Sequence, residues 1–282
     1  MNKDITIVLL SHKSTNLILK FISEIYNKYK IIIIENSEDL ILKKIVEDKY
    51  PKILIKFIKN NGYGSSVNYA SKLIKTKYFL ISNPDVSGIN EENINKFIYA
   101  AKKLNNKFSA LGPRFVNADP KSHKQSDANL EIAEIKFISG SCMFFQKKKF
   151  DAIGGFDENF FLYFEESDFC MRSFKKNKNY QINTIEVLHE VGTSVFTKNE
   201  HEKEKLKELC SWHFIWSKFY FYKKHYGFVV SIIYFVPIII RILFKIILFT
   251  LKREEKKIKK YKTRWSGLIS SIKNQTSYKR IK

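Results

Sequence analysis

The sequence holds only three cysteines, five prolines and ten glycines in 282 residues, and it is short of acid, with 28 Asp and Glu against 50 Lys and Arg. Cys142, Cys170 and Cys210 stand far apart and form no C-x-x-C pair, which excludes a zinc ribbon or a redox dithiol and leaves isolated thiols. So little Gly and Pro, beside 15% aromatic and 44% hydrophobic residues, excludes a collagen-like, linker-dominated or disordered chain and supplies ample apolar surface for a core. No internal repeat points to a solenoid. The N-terminus enters an apolar run at once, without the basic, apolar and small-residue segments of a secretory signal, so the catalytic part is expected in the cytoplasm.

The net charge of +22 would suit a nucleic-acid binder, but its distribution does not. From Lys218 to Lys282 there are 17 Lys and Arg against only Glu254 and Glu255, so this tail holds +15 and the preceding 217 residues only +7. A nucleic-acid-binding protein would set such a tail on phosphates with strongly salt-dependent affinity. That reading leaves an acidic, aromatic cluster in the middle of the chain without a purpose, and nucleic acid is not expected as a partner.

Ile5 to Leu10, Ile31 to Ile34, Ile53 to Ile58 and Tyr78 to Ser82 are apolar runs of strand length. Helical patterns lie between them, over Asn16 to Lys28, Glu38 to Asp48 and Ser65 to Lys75. This alternation predicts a parallel, doubly wound sheet whose ligands bind beyond the carboxyl ends of the strands. Ser11-His12, Glu35-Asn36, Asn60-Asn61-Gly62 and Asn83-Pro84-Asp85 fall at those ends, so four loops should meet at one crevice. Further strands are expected at Ala110 to Gly112, Lys136 to Phe145 and Gln181 to Val187.

Each polar motif has a plain reading beside a chemical one. Asn83-Pro84-Asp85 is ordinary turn chemistry, yet its oxygens suit Mg²⁺ or Mn²⁺ bridging a diphosphate, since such cations take few protein carboxylates and keep several waters. Asn61-Gly62-Tyr63-Gly64-Ser65-Ser66 lacks both the Rossmann and the P-loop spacing, and reads as a strand-to-helix turn or as a helix N-terminus offered to a phosphate. Glu165, Glu166 and Asp168 either complement the dipole of a helix they open or supply the carboxylate that takes a proton from an attacking hydroxyl. In the second case the aromatics before them would wall off water. His189, after an apolar run, is either a hydrogen-bonded surface residue or a cation ligand.

Taken in order, these segments resemble the family 2 glycosyltransferases, especially the bacterial rhamnosyltransferase-like branch. The similarity runs over roughly residues 4 to 196 and is carried by Asn83-Pro84-Asp85, by Gly154-Gly155-Phe156-Asp157-Glu158-Asn159-Phe160-Phe161-Leu162-Tyr163-Phe164-Glu165-Glu166-Ser167-Asp168, and by the His189 segment. The resemblance implies a GT-A fold, Rossmann-like, with a mixed, mostly parallel sheet flanked by helices. It implies that Ser11, Glu35, Asn61, Asn68 and Asn83 meet a nucleotide-diphosphate sugar, with dTDP-rhamnose favoured and UDP-hexoses close behind. Glu35 stands where the family more often has Asp. Asp85 and His189 would hold Mg²⁺ or Mn²⁺, Glu166 would be the general base of an inverting displacement, and Tyr163, Glu165 and Asp168 would meet the acceptor. Glu165 could serve in place of Glu166, and Asp168 could instead orient Arg172. The acceptor implied is a saccharide or lipid-linked saccharide of cell-surface polysaccharide synthesis.

The expected division is a catalytic domain over 1–198 and a helical extension over 199–282, with an apolar segment at 228–251 and a polybasic tail at 252–282. The apolar segment is long enough for a span of about 20 residues. Pro237, Arg241 and Lys245 interrupt it, and Arg241, Lys245 and Lys252 share one helical face. The expectation is a peripheral helix on the inner face of the cell membrane, with residues 228–264 against anionic lipid. A spanning, dimer-forming or soluble packing helix is the other outcome, and a homodimer stays open. Two other functions compete: a sugar nucleotidyltransferase, although residues 5–16 lack its Gly-rich basic loop, and a non-catalytic sugar-, nucleic-acid- or membrane-binding relative.

Overall fold

A computed structural model describes residues 2–118, 125–190 and 192–280. The chain divides into two compact units, Met1–Asp157 with Glu166–Phe196, and Glu158–Glu165 with Thr197–Lys282.

The first unit is built on strands β1 (Ile5–Ser11), β2 (Lys30–Glu35), β3 (Leu54–Phe57) and β4 (Tyr78–Ser82). They lie parallel in the order β3-β2-β1-β4. Helices α1 (Thr15–Ile25), α2 (Leu40–Lys49) and α3 (Tyr63–Leu73) are the crossovers. Because side chains alternate across a strand, Ile5, Ile7 and Leu9 of β1 pack with α1 residues Ile18, Phe21 and Ile22, while Val8 packs on the other face with Val67 and Ala70 of α3. Both faces are therefore covered, and the strands read as continuous apolar runs. The Asp39 carboxylate caps α2 by accepting from the Leu42 N–H at 3.0 Å.

The sheet continues through β5 (Val86–Ser87), β6 (Leu111–Phe115), β7 (Ile132–Ile135), β8 (Cys142–Gln146) and β9 (Asn179–His189). Here the pairing mixes: β8 runs antiparallel to β4 and β6, β9 parallel to β6, and β5 and β7 antiparallel to β9. The parallel, doubly wound expectation thus holds for the first four strands and gives way at β8. The single strand expected over residues 136–145 is also corrected. Its front half is a connection, and β8 begins only after Ser139-Gly140-Ser141, where the Ser139 and Ser141 hydroxyls bond each other at 2.8 Å. Helices α4 (Glu91–Lys103), α5 (Lys147–Ile153) and α6 (Glu165–Phe174) complete the layers, α4 being capped by Asn90, with Glu91 and Glu92 at its N-terminal end and Lys102 and Lys103 at its C-terminal end, as the macrodipole favours.

The second unit consists of helices α7 (Glu200–Tyr226), α8 (Phe228–Leu251) and α9 (Glu255–Ile272) with the short segment 158–165. Ile215 and Phe219 of α7, Phe235 and Ile242 of α8 and Leu268 of α9 form its core. Gly267 lets α9 approach α7 closely, since a Cβ there would lie 2.6 Å from the Trp212 carbonyl oxygen.

Candidate functional site

The ends of β1 and β2 set the first pair of groups. Ser11 and Glu35 are register partners, both fully buried, and the Asn36 N–H donates to the Ser11 carbonyl at 3.1 Å. Oε1 of Glu35 accepts from the Ser37 hydroxyl at 2.5 Å and from its backbone N–H. Oε2 of Glu35 and Oγ of Ser11 have no hydrogen-bond partner. A buried polar atom left open costs about 1–3 kcal/mol, so these two atoms at adjoining strand ends are candidates to bond a ligand's polar groups. His12 beside them bonds the Asn36 side chain at 2.7 Å through Nδ1.

Beyond β4, Asp85 is buried, and its Oδ2 accepts from the Ser194 hydroxyl. Its Oδ1 has no hydrogen-bond partner, and Nε2 of His189 stands 3.4 Å away. The pairing of Val86 with His189 brings the two together, and Asn117 fixes the His189 backbone by accepting from its N–H at 3.1 Å and donating to its carbonyl at 2.9 Å. Asp85 and His189 offer one carboxylate oxygen and one imidazole nitrogen to a divalent cation, a donor set that fits Mg²⁺ or Mn²⁺ when phosphate oxygens and waters supply the rest. Among the described residues no cluster of three or more His, Cys, Asp or Glu side chains forms a closed cage.

The turn Ser139-Gly140-Ser141 joins this side to the acidic cluster. The Asn83 N–H donates to the Ser141 carbonyl at 2.8 Å, and the Tyr63 hydroxyl donates to the Gly140 carbonyl. A Cβ at Gly140 would lie 3.4 Å from both Cβ and Cγ of Glu166. The glycine therefore leaves room for the Glu166 side chain beside the turn that also holds Asn83. Burial drives the Glu166 carboxyl above the ordinary carboxylate range, the Ser167 hydroxyl bond at 2.9 Å and backbone donors opposing the shift in part. A carboxylate whose ionised form is disfavoured in this way is a strong proton acceptor once ionised.

The other expected site residues separate by task. Asp168 pairs with Arg172 through Nε at 2.8 Å, and the remaining guanidinium nitrogens donate to the carbonyls of Ile153 and Gly155 at 2.7 and 2.6 Å. Of the two roles open to it, orienting Arg172 is the one seen. Asn68 bridges Phe156 from both ends of its amide, each bond 2.9 Å, and so secures the glycine turn. Asn61 lies exposed in the loop before α3. Glu165 and Tyr163 fall in the second unit, where burial raises the Tyr163 hydroxyl's pKa, Cys210 and the Glu165 charge adding to it. The aromatic stretch before the acids packs there too, Phe160 on Tyr220, Phe161 on His213, and Phe164 on Phe214 and Phe221. The expectation that these rings wall off water did not include their packing against α7. Sequence reasoning also missed Tyr63 and Gly140, whose roles depend on a turn distant in the chain.

No family model matches the sequence. Among curated proteins the chain is similar to the low-salt glycan biosynthesis hexosyltransferase Agl10 of Haloferax volcanii, 25% identical over 215 residues, covering 67% of this chain and 68% of that protein. It is similar also to the rhamnosyltransferase WbbL of Escherichia coli K12, 24% identical over 201 residues, covering 59% and 75%. Among solved structures, S. aureus TarS 1–349 in complex with UDP-GlcNAc matches 99% of this chain and 94% of its own, with a TM-score of 0.52 and 14% identity. GalNAc-T7 with UDP, GalNAc and Mn²⁺ matches 66% of this chain but only 43% of its own length, with a TM-score of 0.53 and 11% identity. The GT-A fold expected from the motifs is thus borne out, as is the resemblance to family 2 glycosyltransferases.

Proposed function

We propose that this chain is an inverting glycosyltransferase that moves a sugar from a nucleoside diphosphate to a hydroxyl of a saccharide or lipid-linked saccharide in cell-surface polysaccharide synthesis. The observation that carries the reading is the separation of two chemistries around one turn: a cation-binding pair at Asp85 and His189, and a buried carboxylate of raised pKa at Glu166, linked through Asn83, Ser141 and Gly140. The glycosyltransferase relatives and the GT-A neighbours solved with UDP or UDP-GlcNAc support a nucleotide-sugar donor. The rhamnosyltransferase relative favours dTDP-rhamnose, with UDP-linked hexoses next.

In this account Ser11 and Glu35 accept hydrogen bonds from the donor's nucleoside, and Asn61 and Asn83 line its path. Asp85 and His189 would hold Mg²⁺ or Mn²⁺, which supplies Lewis-acid stabilisation of charge on the departing diphosphate. Glu166 takes the proton from the acceptor hydroxyl as that oxygen attacks the anomeric carbon from the face opposite the leaving group, so the configuration inverts. Asp168 acts through Arg172 by holding the glycine turn that leads into the base. Glu166→Gln is expected to abolish transfer while nucleotide-sugar binding, followed by calorimetry, survives. Normal turnover by that variant would remove Glu166 from its role and return Glu165 to consideration.

The C-terminal helices are proposed to bind the cytoplasmic membrane surface. Among the described residues α8 is the one helix long and apolar enough to cross a bilayer. It packs lengthwise on α7 and α9, and α9 carries Lys256, Lys257, Lys259, Lys260, Lys262 and Arg264, which hydrocarbon would exclude. Its outer face nevertheless exposes Val229, Ile233, Ile240, Phe244, Ile247 and Leu251, from 58% to 79% accessible. A helix apolar outside and flanked by cations suits the headgroup boundary. This favours the peripheral form over a span, and a surface-bound enzyme would meet a lipid-linked acceptor in two dimensions.

A further inference from the structure

Helices α8 and α9 each carry an arginine without a protein partner, the exposed Arg241 and the half-buried Arg264. Arg264 of α9 is half-buried, and its Nε is shielded from solvent with no hydrogen-bond acceptor. Burial and the charge of Arg241 on α8 both hold the Arg264 pKa below its ordinary value, with Tyr261 opposing them. Neither arginine has an ion pair or hydrogen bond among the described residues, although Lys256, Lys257 and Lys259 close by all find carboxylates. One helical turn from each arginine stands another cation, Lys245 on α8 and Lys260 on α9.

A guanidinium is a rigid fork matched to phosphate, and Arg264, with its Nε shielded and unpaired and the charge of Arg241 acting on it, is the kind of group an anion satisfies. Ile240 and Phe244, on either side of Arg241 in the chain, are 62% and 58% exposed. Whatever supplies the anion therefore meets bare hydrocarbon beside it. A free phosphate would use the cations and leave the apolar face wet. A lipid phosphate uses both.

We propose that Arg241 and Arg264 form a phosphate site at the α8–α9 seam that takes the headgroup phosphate of an anionic membrane lipid, its acyl chains lying along Ile240 and Phe244. The site rests on the proposed membrane attachment and is independent of the sugar-transfer chemistry. It adds a specific receptor to what would otherwise be diffuse attraction between a basic tail and a charged surface.

The test is vesicle co-sedimentation of the full chain at physiological salt, on phosphatidylcholine vesicles with and without phosphatidylglycerol. The double variant Arg241→Gln/Arg264→Gln is compared with Lys262→Gln/Lys273→Gln, which removes equal charge from two exposed positions away from the seam. The arginine variant should lose affinity for the anionic vesicles by about tenfold more than the lysine variant, since a half-buried fork aided by a second arginine exceeds two screened surface charges. Arg264→Lys, which keeps the charge and loses the fork, should fall with it. Equal losses in the two double variants would overturn the site in favour of diffuse attraction. Glycerophosphate binding the chain without vesicles as tightly as the anionic vesicles do, read by calorimetry, would overturn the lipid assignment. Binding of wild type and both variants to pure phosphatidylcholine at one common level keeps the membrane reading intact whichever way the site falls. No vesicle binding of any kind would sink both.

Discussion

His189 Nε2 lies 3.4 Å from Asp85 Oδ1, and the two meet only because Val86, the residue after Asp85, pairs with His189 across β5 and β9. More than a hundred residues of chain separate them, and Asn117 pins the histidine backbone in place. Replacing Asp85 with Asn should keep the buried contact with Ser194 yet lower turnover by roughly 10²–10³, the usual effect of removing one charge-stabilising group. His189→Ala should lower turnover and weaken Mn²⁺ affinity together, read by steady-state kinetics and metal titration. If either variant turned over normally with added Mg²⁺, this pair would have no part in cation binding.

Glu166 is buried with its pKa raised, so protonation is more favourable in the native state than in the unfolded chain. Its contribution to stability is full below the ordinary carboxylate pKa and is lost as pH rises through the raised folded value. Glu166→Gln should therefore melt at a higher temperature than the wild type near neutral pH, with the gap closing toward acid. Catalysis should show the opposite dependence, the acid limb of kcat lying above the ordinary carboxylate range. A general base of this kind contributes about 10²–10⁴ in rate, which is the loss expected for the variant.

Much of the fold was legible because its signals are local. The apolar runs of β1 to β4 and the crossover helices match their expected positions to within a few residues, and Tyr78–Ser82 matches end to end. The polar residues at strand ends were readable for the same reason, since a carboxyl end is where a doubly wound sheet opens to a ligand. The interleaving of the two units was not legible. Phe160, Phe161 and Phe164 precede the acids, and their packing on Tyr220, His213 and Phe214, far along the chain, has no local signal. The bonds of Asn68 to Phe156, 88 residues away, were equally invisible in the sequence.

The Tyr63 hydroxyl holds the Gly140 carbonyl, and Gly140 sits against the Glu166 side chain. Tyr63→Phe should lower kcat by about tenfold, with donor KM little changed, because small misplacements of a reacting group are costly. Initial-rate kinetics against donor and acceptor separate these effects. A rise in donor KM alone would assign Tyr63 to donor binding instead.

Gly155 has a φ of +65°, and a Cβ there would come within 2.5 Å of the Asn68 side-chain oxygen that accepts from Phe156. Gly155→Ala should destabilise the protein by about 1–3 kcal/mol through left-handed strain and overpacking. Thermal melts would record it, and an unchanged melting temperature would mean the turn can open without cost.

Phe244→Glu with Ile247→Glu, on the bare face of α8, should cut vesicle binding by tenfold or more while leaving transfer to a soluble acceptor analogue unchanged. Co-sedimentation and product analysis check the two halves, and undiminished vesicle binding would assign the exposed face to another partner.

The most direct test of sugar transfer is proton NMR of the product formed when the purified chain is given a panel of nucleotide sugars, dTDP-rhamnose first, with a saccharide acceptor and Mg²⁺. The expected result is a glycoside whose anomeric configuration is opposite to the donor's, formed together with free nucleoside diphosphate and suppressed by EDTA. A product with retained configuration would contradict the assignment of Glu166 as base, and no nucleoside diphosphate released from any donor would contradict the glycosyltransferase reading itself.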